Sequence, residues 1–259
     1  MTRPEFFDCN TRIGKPGKPG PGAFHTKDGL LREMDYLGIS EAVVHHVAAV
    51  GASAGNGRLL DEIAGETRLH GSWVFPPHHQ IDFPDPGKAV EEMLSLGVKV
   101  ARIFPPYYHA GVVADWASGR FFRALEAHRV PLMISGSQLG KHPDDTRPSY
   151  SAQNIYDICQ SYPSLPVAIV HLNWSATRIL HPLMQSCPNL LVEISYYSSH
   201  RGVEFLVQQS GAERILFGTG MPETSPGVAL ALVLYADVSE EERRLIAGDN
   251  LRRLLSEVE

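Results

Sequence analysis

Eight short β-rich runs recur along the chain, and each is followed by apolar residues at helical spacing. The runs cover residues 6–10, 42–47, 71–75, 98–104, 130–135, 167–171, 190–195 and 214–218. Most are almost continuously apolar, as strands covered on both faces must be. Between them lie patterns such as Leu30, Met34, Leu37 and Val203, Leu206, Val207. The stretch from Ser239 through Glu240, Glu241 and Glu242 is a capping-box start for a last helix. Eight strands alternating with helices in 259 residues predict an α/β fold, a (β/α)8 TIM barrel, as a single domain over residues 1–259. A doubly wound open sheet is the competing architecture. It usually needs fewer strands, and no Gly-x-Gly-x-x-Gly follows the first run.

Composition narrows the partners. Hydrophobic residues make up 43% and charged residues 20%, enough for a large core. Lys plus Arg total 23 against 29 Asp plus Glu, a net charge of −6, which gives no reason to expect nucleic acid or an anionic membrane. No run approaches a membrane span, and no targeting segment opens the chain. Three cysteines without a CxxC pair (Cys9, Cys159, Cys187) support neither a disulfide framework nor a zinc knuckle, so a reduced, cytoplasmic protein is expected. If the chain assembles, a symmetric homodimer is the default.

Two loops stand out. Residues 14–22 are a Gly/Lys/Pro stretch after the first strand. Residues 136–150 follow the fifth and carry Lys141, His142, Asp144, Asp145 and Arg147. Both would lie on the C-terminal face of a barrel, as covers over a site or as inert excursions.

Several segments together resemble the amidohydrolase-related (amidohydrolase 2) family of barrel hydrolases and decarboxylases. LREMDYLGISEAVV (31–44) resembles its first helix and second strand. Gly55-Asn56, then TRLHG (67–71), resembles its passage into strand three. Residues 163–173 resemble its sixth strand, ending in a histidine. RILFGTGMP (214–222) and AGDNLRRL (247–254) resemble its strand-eight motif and C-terminal helix. The resemblance implies a divalent metal held by a His-x-His pair ending strand one, one His each ending strands five and six, and a strand-eight Asp that also serves as base.

This chain departs at most of those places. Asn10 and Arg12 stand for the His pair, Ser135 for the third His and Gly220 for the Asp; His171 alone matches. One imidazole cannot hold a catalytic zinc, and an arginine at a ligand place opposes a cation. The usual metal site is therefore expected to be absent, with no cofactor. Cys9 is expected to point away from Asn10, by strand alternation. The resemblance also covers metal-independent lactone hydrolases of small dicarboxylates. These bind carboxylates with arginines but keep the strand-eight Asp.

The candidate site is then assembled from strand ends. Arg12 and Arg102 are candidates to clamp a carboxylate, with Arg102 alternatively ion-paired inside the barrel. His171 is the candidate acid–base or polarising group. Glu223 is the nearby carboxylate that could replace the lost base, or an exposed loop residue. Asn10, Ser135, His78 and Tyr196 complete the substrate-binding set. Alternation lets one of His45/His46, and one of His78/His79, face inward. Glu193 reads as a core partner for an arginine. No Gly-x-Ser-x-Gly elbow or Walker loop is present. Three readings follow. The first is a metal-independent hydrolase or lyase for a small anionic molecule. The second is a non-catalytic barrel that binds a ligand or partner. The third is a metalloenzyme with ligands relocated to His78, His79 or His109.

Overall fold

The computed structural model describes residues 3–75, 85–105, 113–136, 151–172 and 176–259. Nine parallel strands follow in chain order among them. They are β1 (Phe6–Ile13), β2 (Ile39–His46), β3 (Leu69–Gly71), β4 (Trp73–Val74), β5 (Ala101–Ile103), β6 (Leu132–Ser135), β7 (Val167–Val170), β8 (Leu190–Glu193) and β9 (Ile215–Leu216). β3 and β4 are two pieces of one stave, interrupted at Ser72, so nine strands make eight staves. The chain around β9 returns to β1. The Cys9 N–H donates to the Phe217 carbonyl at 2.9 Å, Gly220 to Asn10 at 3.0 Å and Arg12 to Met221 at 3.2 Å. These bonds close the cylinder, and the fold is the single-domain (β/α)8 barrel that the alternation predicts.

A helix follows every stave: α1 (Lys27–Leu37), α2 (Ala54–Ile63), α3 (Pro86–Ser95), α4 (Asp115–Ala127), α5 (Ala152–Ser161), α6 (Thr177–Ser186), α7 (Gly202–Ser210) and α8 (Pro226–Leu234). Their ends follow local chemistry. Thr26 caps α1 by accepting from the Gly29 N–H at 3.2 Å, and Gly38 ends it at φ 63°. Asp85 caps α3 ahead of Pro86 at its first turn. The Ser239–Glu242 capping box starts α9 (Glu240–Arg244), which runs through a π turn into α10 (Asn250–Ser256). No helix among the described residues is long and apolar enough to cross a membrane.

Apolar side chains form two separate layers. The outer one lies between staves and helices and includes Phe6, Ile13, Leu30 and Met34. The inner one fills the barrel with Phe7, Cys9, Val43, Val100, Met133, Ala168, Val170, Leu191 and Leu216. Leu251, Leu254 and Leu255 of α10 join it and seal the N-terminal end.

β1 does not obey simple alternation. Asp8 pairs with Ala42 and Thr11 with Val44, so β1 holds one residue more than β2 over this interval. Even-numbered Phe6 and odd-numbered Ile13 therefore both face the helices. The expectation that Cys9 points away from Asn10 is corrected: Cys9 packs in the inner core, while Asn10 bonds to Glu193 and Arg102 inside the same barrel. The three cysteines are free and buried. Cys159 and Cys187 are distant in sequence, but their thiols are hydrogen-bonded neighbours between α5 and the end of α6. Burial pushes both thiols up, so neither is a ready nucleophile.

Candidate active site

The C-terminal ends of the staves converge on a cavity of about 550 Å3. Its described polar lining is Arg12 from β1, His45 from β2, Ser135 from β6, His171 after β7, Tyr196 beyond β8 and Glu223 beyond β9. Val47, Val50 and Phe104 supply apolar wall, and Pro16 and Gly17 of the Gly/Pro loop form one side. Five of the residues chosen from sequence thus meet in one place: Arg12, Ser135, His171, Tyr196 and Glu223. His78, and with it His79 and His109, lies outside the described residues. So does nearly all of the loop at residues 136–150.

Asn10 and Arg102 do not line this cavity. Arg102 pairs in register with Met133, one layer below Ser135, and is fully buried. Its Nη1 donates to Asn10 Oδ1 at 2.8 Å and its Nη2 to the Cys9 carbonyl at 3.1 Å. Asn10 Nδ2 in turn donates to Glu193 Oε2 at 3.0 Å. Arg102 and Glu193 are therefore joined through an amide rather than by direct contact. Of the two readings of Arg102, the clamp at the mouth is corrected to the one inside the barrel, a cation beneath the floor with Asn10 in place of a direct ion pair. Burial lowers the Arg102 pKa to about 10, which leaves it charged at neutral pH. Burial raises Glu193, although the His171 N–H, Ser195 and Asn10 all donate to its carboxylate.

His171 closes β7 in the left-handed region, at φ 57°. Its ring stands edge-on to Tyr196 at 5.3 Å. Burial, with the Arg102 and Arg12 charges, pushes its pKa down to about 3. The imidazole is neutral at pH 7, the form that accepts a proton or a hydrogen bond. Burial first, and the charges of Glu223 and Glu193 after it, raise Tyr196 to about 12, so its hydroxyl stays a donor. Arg12 Nη2 meets Glu223 Oε1 at 2.8 Å. Arg12 Nε is enclosed and has no partner among the described residues.

His45 is the residue that sequence reasoning left undecided. Alternation turns it into the cavity, beside the Phe104 ring at 5.3 Å, while His46 faces away and caps the turn at Val47–Val50. His45 is buried, its Nδ1 lacks a partner among the described residues, and burial holds its pKa well below the usual value. A larger cavity, about 720 Å3, opens at the N-terminal end among Arg129, Asn189, Arg214 and Arg253. Its cations are already engaged by Glu257 and by backbone carbonyls.

The family described as Amidohydrolase matches residues 31–256. The chain belongs to the amidohydrolase family. Solved structures agree on the fold. The 2,6-dihydroxybenzoate decarboxylase from Rhizobium is 18% identical with a TM-score of 0.72, covering 98% of this chain and 99% of that one. A dihydroxybenzoic acid decarboxylase from Polaromonas, with bound manganese and the inhibitor 2-nitroresorcinol, is 16% identical at 0.70, covering 98% and 97%. A probable 2-pyrone-4,6-dicarboxylic acid hydrolase from Acinetobacter baumannii, with citric acid bound, is 11% identical at 0.70, covering 97% and 99%. No curated protein matches the chain.

At the places where the family resemblance expects metal ligands, the described residues are not the usual set. They offer a bonded amide, a guanidinium, a hydroxyl, one imidazole and a glycine. Arg12 lines the cavity itself, and Arg102 adds a second positive charge below. Gly220 sits at φ +67°, and a Cβ there would meet Thr224 Oγ1 at 2.8 Å. No group of three or more His, Cys, Asp or Glu among the described residues is placed to hold a metal.

Proposed function

We propose that the chain is a divergent, metal-independent hydrolase or lyase that takes a small organic carboxylate at the C-terminal face. The observation that carries this reading is Arg12. Its guanidinium is set into the cavity wall with an enclosed Nε that has no partner among the described residues, and the same cavity is lined by neutral donors and by its ion-pair partner Glu223. A guanidinium binds a carboxylate in a fork, which orients as well as attracts. Tyr196, Ser135, His45 and His171 are then placed to polarise a carbonyl by hydrogen bonds, as preorganised donors do. Phe104, Val47 and Val50 offer an apolar face for the rest of the molecule.

Small lactones and hydroxylated aromatic acids are the substrates to try, following acid release and carbon dioxide respectively. Turnover is expected to survive exhaustive chelation, and Arg12→Gln is expected to raise KM about tenfold or more. Turnover that requires stoichiometric zinc or manganese would sink the reading. A second reading, ligand binding without turnover, draws support from His171 and Tyr196, whose pKa values near 3 and 12 leave neither ready to exchange a proton at neutral pH. Saturable binding with no turnover across the panel would favour it.

A further inference from the structure

Arg12 and Glu223 lie far apart in sequence, and the closure seam brings them together. Arg12 donates its backbone N–H to the Met221 carbonyl, two residues before Glu223. The Glu223 N–H donates to the Gly220 carbonyl at 3.0 Å, which holds the turn that presents the carboxylate. The two side chains differ in setting. Arg12 is 12% exposed, fixed in the wall, whereas Glu223 is 45% exposed, on the rim. One oxygen of Glu223 meets one terminal nitrogen of Arg12 at 2.8 Å. The guanidinium Nε, on the enclosed side, finds no partner among the described residues.

We infer that Glu223 is a resident counter-ion that a ligand carboxylate displaces from Arg12, so Glu223 sets the affinity and charge selectivity of the site instead of serving as its base. The inference rests on the reading that the pocket takes a carboxylate. A fork on Arg12 requires the Nη2 that Glu223 now occupies, and two carboxylates on one terminal nitrogen repel each other. Glu223 can yield at small cost, because a part-exposed ion pair is worth little and its carboxylate regains water when it leaves. Arg12 cannot leave, because its stem is enclosed. The empty site thus stays neutral, and an uncharged molecule gains nothing from breaking the pair. An anion gains the whole guanidinium.

The test uses benzoate and its uncharged isostere benzamide, titrated calorimetrically into the wild-type chain, Glu223→Gln, Arg12→Gln and Arg12→Lys. Thermal melting of each variant checks that it is folded. Benzoate is expected to bind Glu223→Gln roughly two- to fivefold tighter than wild type, the range for relieving a part-exposed pair. Benzamide binding is expected to be the same in both. Arg12→Gln is expected to lose benzoate preference, and Arg12→Lys to keep part of it without the fork. Equal benzoate binding by wild type and Arg12→Gln overturns the carboxylate reading of the pocket. Binding that needs Arg12, yet is unchanged or weaker in Glu223→Gln, overturns only the counter-ion role. Absence of benzoate binding in every folded variant overturns both.

Discussion

His171 combines a left-handed backbone with an imidazole held near 3, against 6.5 for the free group. As pH falls, the unfolded chain binds this proton first. The stability tied to the neutral ring is complete above about 6.5 and is lost progressively as pH drops toward 3. His45 is shifted the same way. Asp8 works in the opposite direction: burial raises it from 3.8 to about 6, so its contribution is complete below 3.8 and is lost as pH rises through 6. His171→Asn is the clean probe, because asparagine tolerates the left-handed region and carries no titrating ring. Between pH 7 and pH 5, wild type should lose about 1–2 kcal/mol more stability than the variant. Denaturant unfolding at both pH values measures this, and a gap independent of pH contradicts the buried neutral ring. At this scale the sequence was only partly readable. Family resemblance pointed to Arg12 and His171, and alternation offered one of His45 and His46. Arg102 stayed open between mouth and barrel interior because its depth depends on the stagger of neighbouring staves, which no single strand encodes.

The break between β3 and β4 shows how an element can be repaired by a side chain. Val74 has only β5 as a strand partner. The buried Asn56 amide on α2 takes the other side, accepting from the Val74 N–H at 2.9 Å and donating to its carbonyl at 3.0 Å. Asn56→Leu leaves both groups enclosed without partners and should cost about 2–4 kcal/mol, read from a urea midpoint. A loss under about 0.5 kcal/mol would mean that water or a moved strand takes over. The adjacent Gly55 has its own constraint. A Cβ there would meet the Ala49 backbone nitrogen at 2.1 Å and the Ala48 carbonyl carbon at 2.5 Å, both rigid neighbours. Gly55→Ala should therefore force α2 off the preceding turn at about 1–3 kcal/mol. The Gly55-Asn56 pair is visible in sequence as a family pattern, but nothing local says that Asn56 mends a stave 18 residues away.

Across the whole molecule, the barrel is held at two places that lie near the chain's ends. One is the seam, where Asp8 accepts from the Thr219 N–H at 3.0 Å and from the Thr219 hydroxyl beside the backbone bonds of β1. The other is the α10 plug, whose Leu251, Leu254 and Leu255 complete the inner core. Leu254→Ala should cost about 2–4 kcal/mol and lower the thermal midpoint of the entire barrel in one transition. A separate early transition confined to the C-terminal helix would show instead that the plug is dispensable. The eight-fold alternation was legible because continuous apolar runs and helical spacing are local signals. Closure was not, because its bonds join residues about two hundred positions apart.

One extra residue in β1 has a consequence beyond its own kink. A strand is read in steps of two, and an insertion shifts that reading frame for everything downstream. Before the shift the inward letters are apolar, Phe7 and Cys9; after it they are polar, Asn10 and Arg12. A single stave thereby changes from floor to mouth within six residues. A length change of one at this point exchanges core for chemistry without altering any other letter.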